Sequence, residues 1–159
     1  MLPNYITQEK LKNFIQSALN EDVGSGDFTS LATISATQQG KAQLIFKDNG
    51  IVAGLELSKY IFEAVNQDLK LEYLKKDGER VEKGEIGLLV EGSSIAILTA
   101  ERLVLNCLQR MSAIATLTNQ YSQQISHTKA KLLDTRKTTP NFRMMEKWAV
   151  LTGLSLIHI

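Results

Sequence analysis

The run from Ala96 to Ile125, AILTAERLVLNCLQRMSAIATLTNQYSQQI, contains neither glycine nor proline. So long a stretch without a breaker reads as one helix. Its apolar residues do not keep to one stripe: Leu98, Arg102, Leu105, Gln109 and Ser112 mix characters, as do Leu103, Cys107, Arg110 and Ile114. The expectation is a helix apolar on much of its circumference and largely buried.

The chain before this helix has a different texture. Leu11, Phe14, Ile15, Ala18 and Leu19 repeat at helical spacing, with Thr7 as N-cap. EDVGSGDFTS reads as a loop. KAQLIFKDNGIVAG alternates apolar and polar residues and turns at Asn49-Gly50, a strand with a hairpin-type turn signal. Leu57, Tyr60, Ile61, Ala64 and Val65 restore the helical period. LKLEYL alternates again, and KKDGERVEKGEIGLLVEG sets glycine turns around short strands. Helices mixed with short, antiparallel strands make an α+β pattern.

After the long helix, KAKLLD reads as a short buried strand. Thr139-Pro140 reads as an N-cap with proline at the first helical position. Phe142, Met144, Met145, Trp148 and Leu151 give the last helix its apolar face, and Gly153 ends it. Strand, polar turn and helix form a βα unit. The carboxyl end of such a strand and the start of the next helix face ligands in barrels and open sheets.

At that place stand Arg136, Lys137, Arg143 and Lys147, in a chain whose 18 basic and 17 acidic residues leave a formal charge of +1. A balanced chain argues against nucleic acid and anionic membranes as partners. A local cluster of cations points to a small carboxylated or phosphorylated ligand. Arg143 and Lys147, four apart, are also consistent with an ordinary solvated helix face or pairing near Glu146. Cys107 is the only cysteine, so no intrachain disulfide forms. A reducing, cytoplasmic location is expected, with no run near the ~20 apolar residues of a membrane helix. Cys107 reads as packing and His127 as solvent-exposed.

DTRKTTP followed by EKWAV resembles the signature of the quinolinate phosphoribosyltransferases. EDVGSGDFTS, NGIVAG and ERLVLNCLQRMSAIATLT are similar, in the same order, to further segments of that family. The resemblance runs from about Leu11 to Gly153, with Ala113 and Asn141 where the family usually has glycine.

It implies an α+β N-terminal domain with an open antiparallel sheet, over residues 1–113 with the linking helix. The first βα unit of an incomplete, truncated α/β barrel follows over 114–159, with an atypical tail at 154–159. It implies transfer of phosphoribose to quinolinate with decarboxylation, using phosphoribosyl pyrophosphate and magnesium. Thr135 and Arg136 would bind quinolinate carboxylates. Lys137 would bind near the phosphoribosyl pyrophosphate and act in catalysis. Arg102 would reach the partner's site in a homodimer. His158 is off the family's histidine position and takes no role. Taken alone, these residues are expected to be inactive, with the segment from Lys129 onward loosely docked.

Two other readings stand beside this one. A same-fold paralogue associated with molybdenum transport would share the pattern. DGERVEKGE also resembles the glycine-flanked turn of biotinyl and lipoyl carrier domains, with Lys47 beside Asp48-Asn49-Gly50 as the nearest candidate lysine.

Overall fold

The computed structural model of the protein describes residues 2–154. His158 and positions 155–159 of the tail lie outside the described residues. Helix α1 (Gln8–Val23) starts where Thr7 accepts a hydrogen bond from the Lys10 amide and buries Leu11 and Ile15. EDVGSGDFTS is less of a loop than its glycines suggest. Its first residues finish α1, and Asp27 caps a six-residue helix, α2 (Phe28–Thr33), accepting from both the amide and the hydroxyl of Ser30.

Strands β1 (Gln39–Ile45), β3 (Lys70–Tyr73) and β5 (Ile86–Ser93) form an open antiparallel sheet in the order β1-β5-β3. Its register sets Lys41 opposite Glu91, where they form an ion pair of 2.9 Å, and Leu71 opposite Val90. The hairpin expected at Asn49-Gly50 does not form. The chain turns there, but β2 (Gly50–Ile51) pairs with β4 (Arg80–Val81), and β1 pairs with β5 instead. The turn is held from outside, with Asn49 Oδ1 accepting from the Lys83 amide at 2.7 Å.

Helix α3 (Leu55–Val65) buries Leu57 and Ile61 completely. Each such side chain contributes about 1.5–3 kcal/mol through burial. Its N-cap, Gly54, has φ +110 and no side chain to cap with, so Asp77 does the capping from 22 residues away. The Asp77 carboxylate accepts from the Leu55 and Glu56 amides at 2.8 and 3.2 Å. A side chain at Gly54 would also press on Leu108 and Met111 of the next helix.

That helix, α4 (Ser94–Ile125), is the predicted unbroken one, with Ser93 at its N-cap. It is not buried around its circumference. Ala96, Ala100, Val104, Cys107, Met111, Ala115, Thr118 and Ser122 lie on one buried face, whereas Leu98, Leu105 and Leu117 are 41–51% exposed. It binds β2 and the residues after it through side chains: Thr116 Oγ1 accepts from the Ile51 amide at 2.8 Å and Ser112 Oγ from the Ala53 amide at 3.0 Å.

KAKLLD forms no strand. Residues 130–135 are irregular, and Leu133 is 87% exposed. An extended segment becomes a sheet strand only when a neighbour takes its backbone groups, and no described strand lies beside it. Helix α5 begins at Arg143, not at Thr139-Pro140, and runs to Leu154. It is firmly seated, not loosely docked: Met145, Trp148 and Ala149 are buried, while Leu151 faces outward. Gly153 lies inside the helix, where a Cβ would collide with the Ala115 carbonyl of α4.

Candidate anion site at the start of helix α5

The four cations that stand together in the sequence separate into two pairs in the structure. Lys147, half-buried, pairs with Asp134 at 2.6 Å and donates to the Thr135 carbonyl at 2.6 Å. Arg143 donates to Thr138 Oγ1 at 2.9 Å and to the Arg136 carbonyl at 3.3 Å. These two hold the loop.

Arg136 and Lys137 point from that loop, exposed. No ion pair or side-chain hydrogen bond engages either among the described residues. Three of the loop's amides are satisfied locally: that of Thr135 by Asp134, that of Lys137 by Thr135 Oγ1 and that of Thr138 by the Arg136 carbonyl. Two unpaired cations on a fixed backbone can hold an anion through a guanidinium fork and an ammonium point charge.

The far end of the loop is tied by a group the sequence did not single out. Arg110 of α4 donates through Nε and Nη2 to Glu146 Oε1, at 2.9 and 2.7 Å, and also to the Thr139 hydroxyl. Glu146 Oε2 accepts from the Thr139 amide at 3.4 Å. Burial opposes the Glu146 charge, but the bonds from Arg110 and Thr139 outweigh it and hold the carboxyl below the usual glutamate value. Arg110 flanks the buried face of α4, but only the packing of α5 on α4 brings it to Glu146.

Arg102 stands elsewhere. It pairs with Asp22 at the end of α1, which favours its charged form. Eight residues separate it from Arg110, about 12 Å along the helix axis. The structure therefore brings Thr135, Arg136 and Lys137 together and leaves Arg102 outside their contacts. Cys107 is buried, and burial pushes its thiol up to about 12, so it offers no thiolate. His127 is exposed.

Among the described residues no group of three or more His, Cys, Asp or Glu could hold a metal ion. No described helix is long and apolar enough to cross a membrane.

The family model "Quinolinate phosphoribosyl transferase, N-terminal domain" matches residues 27–112, and the corresponding C-terminal domain model matches 114–158. The first of these includes DGERVEKGE, which places that turn in the phosphoribosyl transferase domain and not in a carrier domain. A quinolinate phosphoribosyltransferase [decarboxylating] of Nicotiana glauca is 46% identical over 90% of this chain and 41% of its own length. A probable nicotinate-nucleotide pyrophosphorylase [carboxylating] of Bacillus subtilis is 39% identical over 94% of this chain and 51% of its own. The solved nicotinate-nucleotide pyrophosphorylase of Francisella tularensis superposes with a TM-score of 0.87 at 31% identity, covering 96% of this chain and 54% of that one. The chain thus spans about half the length of the relatives it matches. With one domain model covering its sheet and the first part of α4, and the other the rest of α4 and the cationic loop, the chain belongs to the quinolinate phosphoribosyl transferase family.

Proposed function

We propose that these residues serve, in a protein of the relatives' length, the transfer of phosphoribose from phosphoribosyl pyrophosphate to quinolinate. The products are nicotinate mononucleotide, pyrophosphate and carbon dioxide, in the synthesis of NAD. One observation carries the reading: among the described residues Arg136 and Lys137 are exposed and their side chains unpaired, on a loop that Arg143 and Lys147 of α5 hold.

Quinolinate is a dianion, and the Arg136 guanidinium with the Thr135 hydroxyl suits its carboxylates. Lys137 suits the diphosphate of the co-substrate, where negative charge grows as the ribose–oxygen bond breaks. A fixed cation at that place lowers the barrier without a nucleophilic side chain. Magnesium would accompany the phosphoribosyl pyrophosphate and offset the charge of its diphosphate.

Arg102 lies outside the contacts of its own chain's loop, exposed and paired with Asp22; exchanging that partner for the ligand on the loop of a second copy makes a homodimer with shared sites our reading of the assembly. The lone, buried Cys107 suits a reducing cytoplasmic setting, and neither nucleic acid nor membrane enters the scheme.

The test is product formation by the full-length protein from quinolinate and phosphoribosyl pyrophosphate with magnesium. Nicotinate mononucleotide and carbon dioxide should appear together, one for one. Turnover of another pyridine carboxylic acid in preference to quinolinate would favour a paralogue of the same fold and overturn the proposal.

A further inference from the structure

Arg143, Glu146 and Lys147 stand at i, i+3 and i+4 on α5, one face of a single helical turn. Every one of them ends on the segment from Asp134 to Thr139. Lys147 takes Asp134 and the Thr135 carbonyl. Arg143 takes the Arg136 carbonyl and the Thr138 hydroxyl. Glu146 takes the Thr139 amide, itself steadied by Arg110. No described strand lies beside this segment, so a helix face fixes what a sheet would otherwise fix. The two side chains without a partner among the described residues, those of Arg136 and Lys137, project from the middle of the held segment.

We propose that Arg143 and Lys147 are positioning residues. They form a clamp that sets the backbone from which Arg136 and Lys137 meet an anionic ligand, and they do not touch that ligand themselves. The ligand's identity as quinolinate rests on the reading above; the clamp does not. A cation on a floating loop must be ordered when the ligand arrives, and that ordering weakens binding. A clamped loop has met that cost on folding. The clamp also explains why four cations sit in so short a stretch of a nearly neutral chain: two serve the ligand and two serve the loop.

The test uses Lys147→Met, which keeps the aliphatic stem, Lys147→Arg as the conservative variant, and Arg143→Met. Arg143 is exposed, so its loss opens no cavity in the core. In the 159-residue chain, amide hydrogen exchange at Thr135 to Thr138 should quicken about tenfold in both methionine variants, the effect of one lost charge-assisted bond. The α5 amides from Met145 to Ala149 should stay protected. Lys147→Arg should restore slow exchange. Lys137→Met, lacking a ligand cation but no clamp bond, should leave loop exchange unchanged.

In the full-length protein, Lys147→Met and Arg143→Met should raise KM for quinolinate about tenfold and change kcat much less, with Lys147→Arg recovering most of the loss. Unchanged loop exchange in Arg143→Met and Lys147→Met overturns the clamp. Quickened exchange with unchanged KM overturns its positioning role. Quickened exchange in a protein that does not turn over quinolinate leaves the clamp standing and removes the proposed function alone.

Discussion

Replacing Gly153 by alanine should destabilise the protein, although alanine is the better helix former by about 1 kcal/mol. Gly153 lies in the last turn of α5, and the added Cβ would sit inside contact distance of the Ala115 carbonyl oxygen. It would also stand 2.9 Å from Thr118 Cβ and 3.0 Å from the Ala115 carbonyl carbon. Most of the opposing atoms are helix backbone, which cannot rotate aside as a side chain can. Relief therefore requires α5 to move off α4, which loosens Met145, Trp148 and Ala149, all now buried. It also stretches the 3.2 Å bond from Asn119 Nδ2 to the Gly153 carbonyl. Overpacking of this kind costs about 1–3 kcal/mol and sometimes more. Set against the propensity gain, a net loss of about 1 kcal/mol is expected. For a chain of this size that lowers Tm by roughly 2–4 °C. Thermal unfolding followed by circular dichroism measures it directly. A Gly153→Ala protein that melts at or above the wild-type temperature would refute the close-packing argument and return Gly153 to the role of a helix terminator.

Other consequences are as direct. Ser112→Ala removes the acceptor of the Ala53 amide, which is fully buried, and should cost about 1–3 kcal/mol by chemical denaturation. Because the Glu146 carboxyl is held below its ordinary value, its charge stabilises the fold above the unfolded-state pKa of about 4.3. That contribution fades as pH falls through the lower folded value. The stability gap between wild type and Glu146→Gln should therefore be full at pH 7 and close in acid; a gap that widens in acid would reverse the sign argued here. If Arg102 serves a partner's loop, mixing full-length Arg102→Ala and Arg136→Ala proteins should recover about a quarter of wild-type activity. Half the dimers are then mixed, each with one intact site. A mixture no more active than its parents, after subunit exchange is shown, would confine Arg102 to its own chain.

What could be read from the sequence follows the range of the interactions involved. α1, α3 and α4 were legible because their signals are local: a capping threonine, a 3.6-residue period, the absence of breakers. Strand pairing was not, since the Asn49-Gly50 turn is a local hairpin signal and β1 finds its partner in β5, far along the chain. α2 escaped because six residues carry no period, and its cap, Asp27, hides in a glycine loop. KAKLLD has strand character, but strand character needs a neighbouring strand. At the site, Arg136 and Lys137 could be singled out as unusual. Which cations hold and which are left free depends on the seating of α5, and Arg110 enters through the same contact.

The central claim is that Arg136 and Lys137 divide the two substrates between them on a loop fixed by α5. Binding of quinolinate and of phosphoribosyl pyrophosphate, measured separately by titration calorimetry on full-length Arg136→Ala and Lys137→Ala, tests it most directly. Each lost charge-assisted bond is worth about 1.5–3 kcal/mol, about one to two decades in affinity. Arg136→Ala should lose that much for quinolinate and less for phosphoribosyl pyrophosphate, and Lys137→Ala should show the opposite bias. Equal losses for both substrates in both variants would contradict the division and leave the loop a general basic surface.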